Sequence, residues 1–164
     1  MDLIKHTTQW VQGEILQGRI GLVIGVLIGI LFFYFVNFQQ AFNKGMILPF
    51  LILQIVLLGY SGFQMTMRPK HIEKIKQSIS ISKENTLRAE LEKMQKDNNM
   101  YNTLRPIWAG LFVVSLILFF VLSNDFFKGM SLGFVAFFIM AYTFDTLLHL
   151  RLKTYITALQ AIIL

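Results

Sequence analysis

Four uninterrupted apolar runs constrain this chain more than any other feature of its sequence. They cover residues 20–36, 46–62, 107–122 and 130–144, and the segments between them hold nearly all of the charge. A helix needs roughly 20 apolar residues to cross the hydrocarbon core of a bilayer, so each run is close to that length. Because a bilayer core contains no water, such runs satisfy their backbone hydrogen bonds as helices. The sequence therefore predicts an all-α integral membrane protein with four transmembrane helices.

The predicted organisation is a single membrane domain over residues 1–164, because little sequence is left for a separate soluble domain. The spans form two tandem helical hairpins, joined by a cytoplasmic helical hairpin between the second and third spans. In chain order we predict an interfacial helix at 2–18, spans at 20–38 and 45–66, the cytoplasmic hairpin at 68–104, spans at 106–123 and 127–149, and an interfacial helix at 152–164.

The distribution of Lys and Arg predicts the orientation of these helices. All of the basic residues except Lys44 and Lys128 lie before the first run, between the second and third runs, or after the fourth. Lys and Arg in short loops are retained on the cytoplasmic side. We therefore expect both termini and the middle segment to face the cytoplasm, with the protein in the bacterial inner (cytoplasmic) membrane.

A short motif indicates that the two halves of the chain are related. Residues 42–46 and 126–130 share the pattern F-x-K-G-M, and each copy lies between two apolar runs. Both halves enter the membrane from the same side, which predicts a parallel internal repeat. We expect the glycine of each copy to allow a tight or left-handed turn.

Glycine also recurs every fourth residue in the first span, at Gly21, Gly25 and Gly29. This spacing clears one helix face, so that another helix can approach closely. The partner is either a span of the same chain or a neighbouring subunit, and the spacing does not distinguish them. We expect a homo-oligomer that associates through its spans.

Three polar side chains inside the predicted spans are candidates for a site. Gln54 lies near the middle of the second span, where its amide either bonds to another helix or lines a conduction path. Asp145 is the only acidic residue within a span, and His149 follows one turn later on the same face. Asp145 is either paired structurally, with Arg68, Arg105, His149 and Arg151 all within reach, or forms a proton or cation site with His149.

The middle segment is basic and predicts contacts on the cytoplasmic side. Its isoleucine and leucine stripes have two possible roles. They pack against each other or against other subunits of an oligomer, or they form a groove that binds an outside partner. Anionic lipid headgroups are expected partners, and a cytoplasmic protein is a further one. Nucleic acid is not expected, because no aromatic residues interleave the basic ones. The basic contact residues are Arg68, Lys70, Lys74, Lys76, Arg105 and Arg151.

The sequence contains no catalytic, metal or nucleotide-binding motif, and its lack of cysteine excludes thiol chemistry. We expect no cofactor and no enzymatic activity. The leading hypothesis is an assembly, sensing or signalling subunit that presents its basic segment to a partner or to lipid headgroups. The first alternative is a homo-oligomeric ion channel or pore gated by the cytoplasmic segment. The second is a lipid-processing enzyme that uses Asp145 and His149.

Overall fold

A computed structural model describes residues 2–163 as four long helices. Met1 and Leu164, which the predicted domain includes, lie outside the described residues. Each helix is long and apolar enough to cross a membrane, which confirms the prediction of an all-helical protein with four candidate spans. The helices are α1 (Asp2–Phe35), α2 (Ala41–Ile81), α3 (Lys83–Val121) and α4 (Asp125–Ile163).

The helices extend well beyond the predicted spans. At 1.5 Å per residue, α2 with its 41 residues is about 60 Å long, roughly twice the thickness of a hydrocarbon core. The predicted interfacial helices are therefore wrong as separate elements: residues 2–18 are the first part of α1, and residues 152–163 are the last part of α4. Residues 68–104 do form two helical arms that meet at Ser82, but each arm continues a spanning helix.

Two predicted boundaries also move. The first span was predicted to run to residue 38, but α1 ends at Phe35 and residues 36–40 connect it to α2. Pro106 was predicted to begin the third span, yet α3 passes through it without ending. Proline is tolerated inside helices of membrane bundles, where neighbouring groups satisfy the freed carbonyl.

The continuity of α1 has a packing reason. Gly13 and Gly18 interrupt the helix propensity of this segment, because glycine is a weak helix former. In the structure a Cβ at Gly13 would lie 3.3 Å from the Arg151 side chain, and one at Gly18 would lie 3.0 Å from the Ser61 carbonyl oxygen. Both glycines thus lie where α1 touches a neighbouring helix, and these contacts offset their weak propensity.

At one end of the molecule, residues 2–18, 68–104 and 152–163 of the four helices form one bundle with its own core. We call this part the charged end. Its core contains Leu3, Ile75, Leu87, Met94 and Leu159, each at most 6% exposed. The isoleucine and leucine stripes of the middle segment both contribute to this core. They are therefore covered within a single chain.

At the opposite end, α2 and α4 come into backbone contact. The Cα of Gly45 lies against the carbonyl of Phe126, and the Cα of Gly129 lies against the carbonyl of Phe42. One turn further along, Gly133 packs on the ring of Pro49. No glycine among residues 2–163 has a positive φ, and Gly45 and Gly129 lie within helices, so the predicted tight or left-handed turns at these two glycines are wrong. These glycines permit close helix approach instead.

The remaining helices flank this crossing. The most extensive interfaces join α3 to α4, α2 to α4, and α1 to α2. The contact between α2 and α3 is much smaller, although the two helices are consecutive and meet at Ser82. A cleft therefore runs between α2 and α3, with α4 behind it.

The crossing of α2 and α4 predicts that substitution of glycine by alanine has very different effects on stability at different positions. In Gly45→Ala or Gly129→Ala the new methyl group would collide with a backbone carbonyl, which cannot rotate away. We expect each variant to lose about 3 kcal/mol of unfolding free energy, the upper part of the usual overpacking range. Thermal or denaturant unfolding in detergent, followed by circular dichroism, measures this loss.

Gly59→Ala is the matched control, because a Cβ at Gly59 of the same helix meets no atom within 4 Å. Its stability should be unchanged or higher, since alanine is the better helix former. Equal losses in Gly45→Ala and Gly59→Ala would contradict the crossing.

Candidate functional site

A buried ion pair lies where the charged end meets the spans. Glu14 of α1 is 2% exposed, and its Oε2 lies 3.0 Å from Nε of Arg68 on α2. The amide of Gln64 donates to the same carboxylate oxygen over 3.5 Å. The Arg68 guanidinium also lies over the Trp10 ring, 4.8 Å from its centroid. Arg68, predicted to contact lipid or a partner, is thus engaged inside the chain.

This pair continues into an aromatic and polar network that joins all four helices. Trp10 stacks on Tyr155 of α4 with a centroid distance of 4.9 Å. The Tyr155 hydroxyl lies 2.7 Å from the Thr7 hydroxyl and donates to Oε1 of Glu90 on α3 over 3.2 Å. The same Glu90 oxygen lies 2.7 Å from Nε2 of His71 on α2. The network fixes the relative position of the four helices at this level.

Arg151 is also turned into the protein. Its Nη1 donates to the Gly13 carbonyl and to Oε1 of Gln17, the latter over 2.7 Å. Gln17 in turn donates to the Phe144 carbonyl over 3.3 Å. Together these bonds close the contact between α1 and α4. Arg151 therefore uses its guanidinium within the chain, as Arg68 does.

His149 is held between α3 and α4, and its hydrogen bonds define its protonation. Its Nδ1 lies 3.0 Å from Nη1 of Arg105, and its Nε2 lies 2.8 Å from Oδ1 of Asn98. Since arginine only donates, Nδ1 is the acceptor, and Nε2 carries the proton donated to Asn98. The imidazole is therefore neutral, and Arg105 too is used within the chain.

Asp145 has a different partner. Its Oδ2 accepts a hydrogen bond of 2.6 Å from the indole nitrogen of Trp108 on α3. Of the partners predicted to be within reach of Asp145, none bonds to it: Arg105 and His149 bond to each other, and Asp145 and His149 each have their own partners on α3. Both residues instead attach α4 to α3, His149 nearer to the charged end.

The glycine face of α1 lies against other helices of the same chain. A Cβ at Gly21 would lie 3.0 Å from the Phe144 ring, and one at Gly25 would lie 2.7 Å from Leu58. Gly29 faces the Gln54 amide at ordinary contact distance. The Gln54 nitrogen is buried and has no hydrogen-bond partner within residues 2–163.

The lysines of the charged end differ in exposure from Arg68, Arg105 and Arg151, although Arg88, which pairs with Glu84 on the surface, is exposed as they are. Lys70, Lys74 and Lys76 are all exposed on the surface of the charged end. A groove of about 390 Å³ lies between the outer parts of α2 and α3, lined in part by Lys74, Lys93 and Ser78. Ile81, also in its lining, is 88% exposed. In the part of the chain that the structure describes, no three His, Asp or Glu side chains come together as a metal site.

Comparisons of the chain with protein-family models, curated proteins and solved structures found no match. The functional argument therefore rests on the residues and their geometry.

Sequence reasoning missed the network around Glu14, although a signal for it was present. Leu3, Thr7, Trp10, Glu14 and Gln17 recur at alternating spacings of three and four residues, and Gly21 continues the series. This is the spacing of a buried seam in a helical bundle. Residues 2–18 were instead predicted to form an interfacial helix, on which Glu14 and Gln17 would be solvated. Their partners lie on α2 and α4, far away in the sequence.

The buried Glu14–Arg68 ion pair predicts that loss of one of its two charges destabilises the protein. Glu14→Gln would leave the largely covered Arg68 guanidinium without its counter-charge. We expect a loss of about 3 kcal/mol in unfolding free energy, as for other broken buried pairs. Denaturant titration in detergent measures it.

Glu84→Gln is the control, because Glu84 pairs with Arg88 at 2.9 Å on the surface, where both side chains are more than two-thirds exposed. Exposed pairs contribute about 1 kcal/mol or less. Similar losses in the two variants would contradict a structural role for the Glu14–Arg68 pair.

Proposed function

We propose that this protein is a non-enzymatic membrane subunit whose charged end projects into the cytoplasm and presents a lysine-rich surface to an acidic cytosolic protein. The observation that carries the proposal is that some basic residues make contacts inside the chain while others are exposed. Arg68, Arg105 and Arg151 bond inside the chain, whereas the lysines of the charged end are exposed. Exposed lysine forms a mobile positive surface, while arginine's planar fork suits fixed internal contacts.

The orientation is part of this proposal. The described chain begins and ends in the charged end, which also holds all basic residues other than Lys44, Lys128 and the boundary residues Arg19, Arg105 and Arg151. The positive-inside rule favours the cytoplasm for this end. We therefore propose an inner-membrane protein with both termini in the cytoplasm.

The height of the charged end favours a protein over the lipid headgroups as its partner. Ser82, at the tip, lies 14 residues beyond Arg68 along α2, which is about 20 Å of helix. Electrostatic attraction falls off over about 8 Å at physiological ionic strength. Lys83, next to the tip, therefore lies beyond the effective reach of the protein's own bilayer. Lys70 lies within it, and so does Lys93, because α3 runs back about 16 Å from Ser82 to that residue.

The groove between α2 and α3 offers a place for such a partner. Lys74 and Lys93 lie on its two sides, and Ile81 supplies exposed apolar area beside them. Paired positive charges around a partly apolar groove favour an acidic segment with some apolar side chains. The lysines would set the rate and specificity of association, and Ile81 would add burial.

We also propose that the chain arose by internal duplication. The two F-x-K-G-M motifs contact each other reciprocally, since Gly45 meets Phe126 and Gly129 meets Phe42. Such an exchange is expected of equivalent residues around a two-fold axis. Pro49 and Gly133 occupy equivalent positions and touch each other, as residues on the axis would.

The other hypotheses have less support. A channel through a single bundle is disfavoured because the backbones of α2 and α4 meet at Gly45 and Gly129. The homo-oligomeric channel, with its path between subunits, stays a prediction. An enzyme that uses Asp145 and His149 is disfavoured because the two side chains bond to different partners. Homo-oligomerisation through the spans stays a prediction, and Gly21 and Gly25, which suggested it, are covered within one chain.

Site-specific photocrosslinking in intact cells tests the proposal. A photoreactive residue in place of exposed Ala89, in the groove lining, should give a discrete adduct with a cytosolic protein. The double charge reversal Lys74→Glu/Lys93→Glu should reduce that adduct at least about tenfold, equivalent to 1.4 kcal/mol of lost affinity.

The matched control reverses the two lysines of the opposite end, Lys44→Glu/Lys128→Glu, and should leave the adduct unchanged. A photoreactive residue at Ser123 should give no cytosolic adduct. Absence of an adduct at Ala89, or an equal reduction by both double variants, would contradict the proposal.

A further inference from the structure

A lateral cavity lies lower in the cleft between α2 and α3, with α4 at its back. Its volume is about 280 Å³, close to the lower end of small-molecule pockets, which is roughly 300 Å³. The walls are almost entirely apolar and include Leu53, Leu104, Phe137 and Ala141. Asp145 is the single acidic residue in the lining.

A pocket of about 260 Å³ also lies between α1 and α4 at the charged end, lined by Gln9, Gly13 and Thr154 among others, but within the spans these two helices fit closely. There, Phe144 fits against Gly21, and Arg151 and Gln17 close the contact. On the other side, the bulky side chains of Tyr101 and Trp108 stand between α3 and its neighbours and line the cavity. Glycine thus brings α1 close, while aromatic residues keep α3 apart from α2.

The cavity is continuous with the membrane-facing surface. Val56 of α2 and Met100 of α3 line it and are also 48% and 51% exposed. Val56 lies within the second apolar run, so the mouth on this side faces hydrocarbon chains. The molecules with direct access to this mouth are therefore the components of the bilayer.

The polar end of the cavity limits the chemistry of its occupant. Asp145 accepts the hydrogen bond from Trp108 through Oδ2, and a carboxylate has acceptor capacity for further bonds. A negatively charged headgroup would be repelled by this carboxylate in surroundings of low polarity. A hydroxyl or ammonium group would donate to it.

We propose that this cavity binds the alkyl chain of a membrane amphiphile whose polar end donates a hydrogen bond to Asp145. The chain lies along Leu53, Leu104 and Phe137, and the donor group lies beside Asp145 and Trp108. This site is independent of the acidic partner proposed for the tip, because no residue lines both the cavity and the groove.

Photoaffinity labelling of the full chain in nanodiscs tests the inference. Three probes carry the same sixteen-carbon chain with a diazirine and differ only in their polar end: an amine, an alcohol or a carboxylic acid. The amine and the alcohol should label peptides of the cavity lining at least about tenfold more than the acid, a ratio equivalent to 1.4 kcal/mol. The amine and alcohol arms show which donor is preferred.

Two variants assign the labelling to the cavity. Ala141→Phe fills it and should abolish the preference, whereas Ala136→Phe makes the same change at an exposed position of α4 and should not. Asp145→Asn removes the negative charge and should raise labelling by the acid probe. The ratio of alcohol to acid labelling should then fall from at least about tenfold to about twofold. Each variant's helical content and unfolding temperature are measured first, and Ala141→Leu replaces Ala141→Phe if the latter does not fold.

Equal labelling by the three probes in the unmodified protein would overturn the inference. So would adducts confined to peptides outside the lining, or labelling in the folded filled variant equal to that of Ala136→Phe. None of these results bears on the crosslink at Ala89, so failure of the cavity and failure of the acidic partner are distinguishable.

Discussion

The close approach of α2 and α4 at Gly45 and Gly129 is the constraint on which the rest of the structure depends. In a bilayer, water does not drive helices together, so association relies on close packing and on hydrogen bonds. Each of the two glycines faces a backbone carbonyl of the other helix, which allows the backbones of α2 and α4 to touch. The packing of Pro49 on Gly133 extends this contact along the helices. With this pair fixed, α1 and α3 pack on its flanks, and all four helices share one core in the charged end.

The two flanks differ because their side chains differ. Gly21 and Gly25 bring α1 against its neighbours, and Arg151 closes that side with hydrogen bonds to α1. On the other side Trp108 and Tyr101 leave an apolar cavity near Asp145. The groove of the charged end lies in the same cleft, between α2 and α3, which make the smallest contact of any two consecutive helices. Both candidate binding regions thus follow from the limited contact between α2 and α3.

Hydropathy predicted the four spans because burial in lipid acts on each segment separately. The sequence also singled out Gly45 and Gly129, but for turn conformation rather than for close approach, since the facing carbonyls belong to the other half of the chain. The pairing of Glu14 with Arg68, the tautomer of His149 and the continuity of α1 through Gly13 were not predictable for the same reason. Each depends on contacts between residues far apart in the sequence.

The most direct test of the α2–α4 crossing is disulfide formation in membranes, which the cysteine-free sequence makes unambiguous. A Cβ at Gly133 would lie 3.1 Å from the Cβ of Pro49, near the separation of about 3.8 Å found in disulfides. Pro49→Cys/Gly133→Cys should therefore oxidise within a single chain and migrate faster on a non-reducing gel, whereas Gly59→Cys/Gly133→Cys should not. Failure of the first pair to cross-link, or equal cross-linking of both, would contradict the crossing.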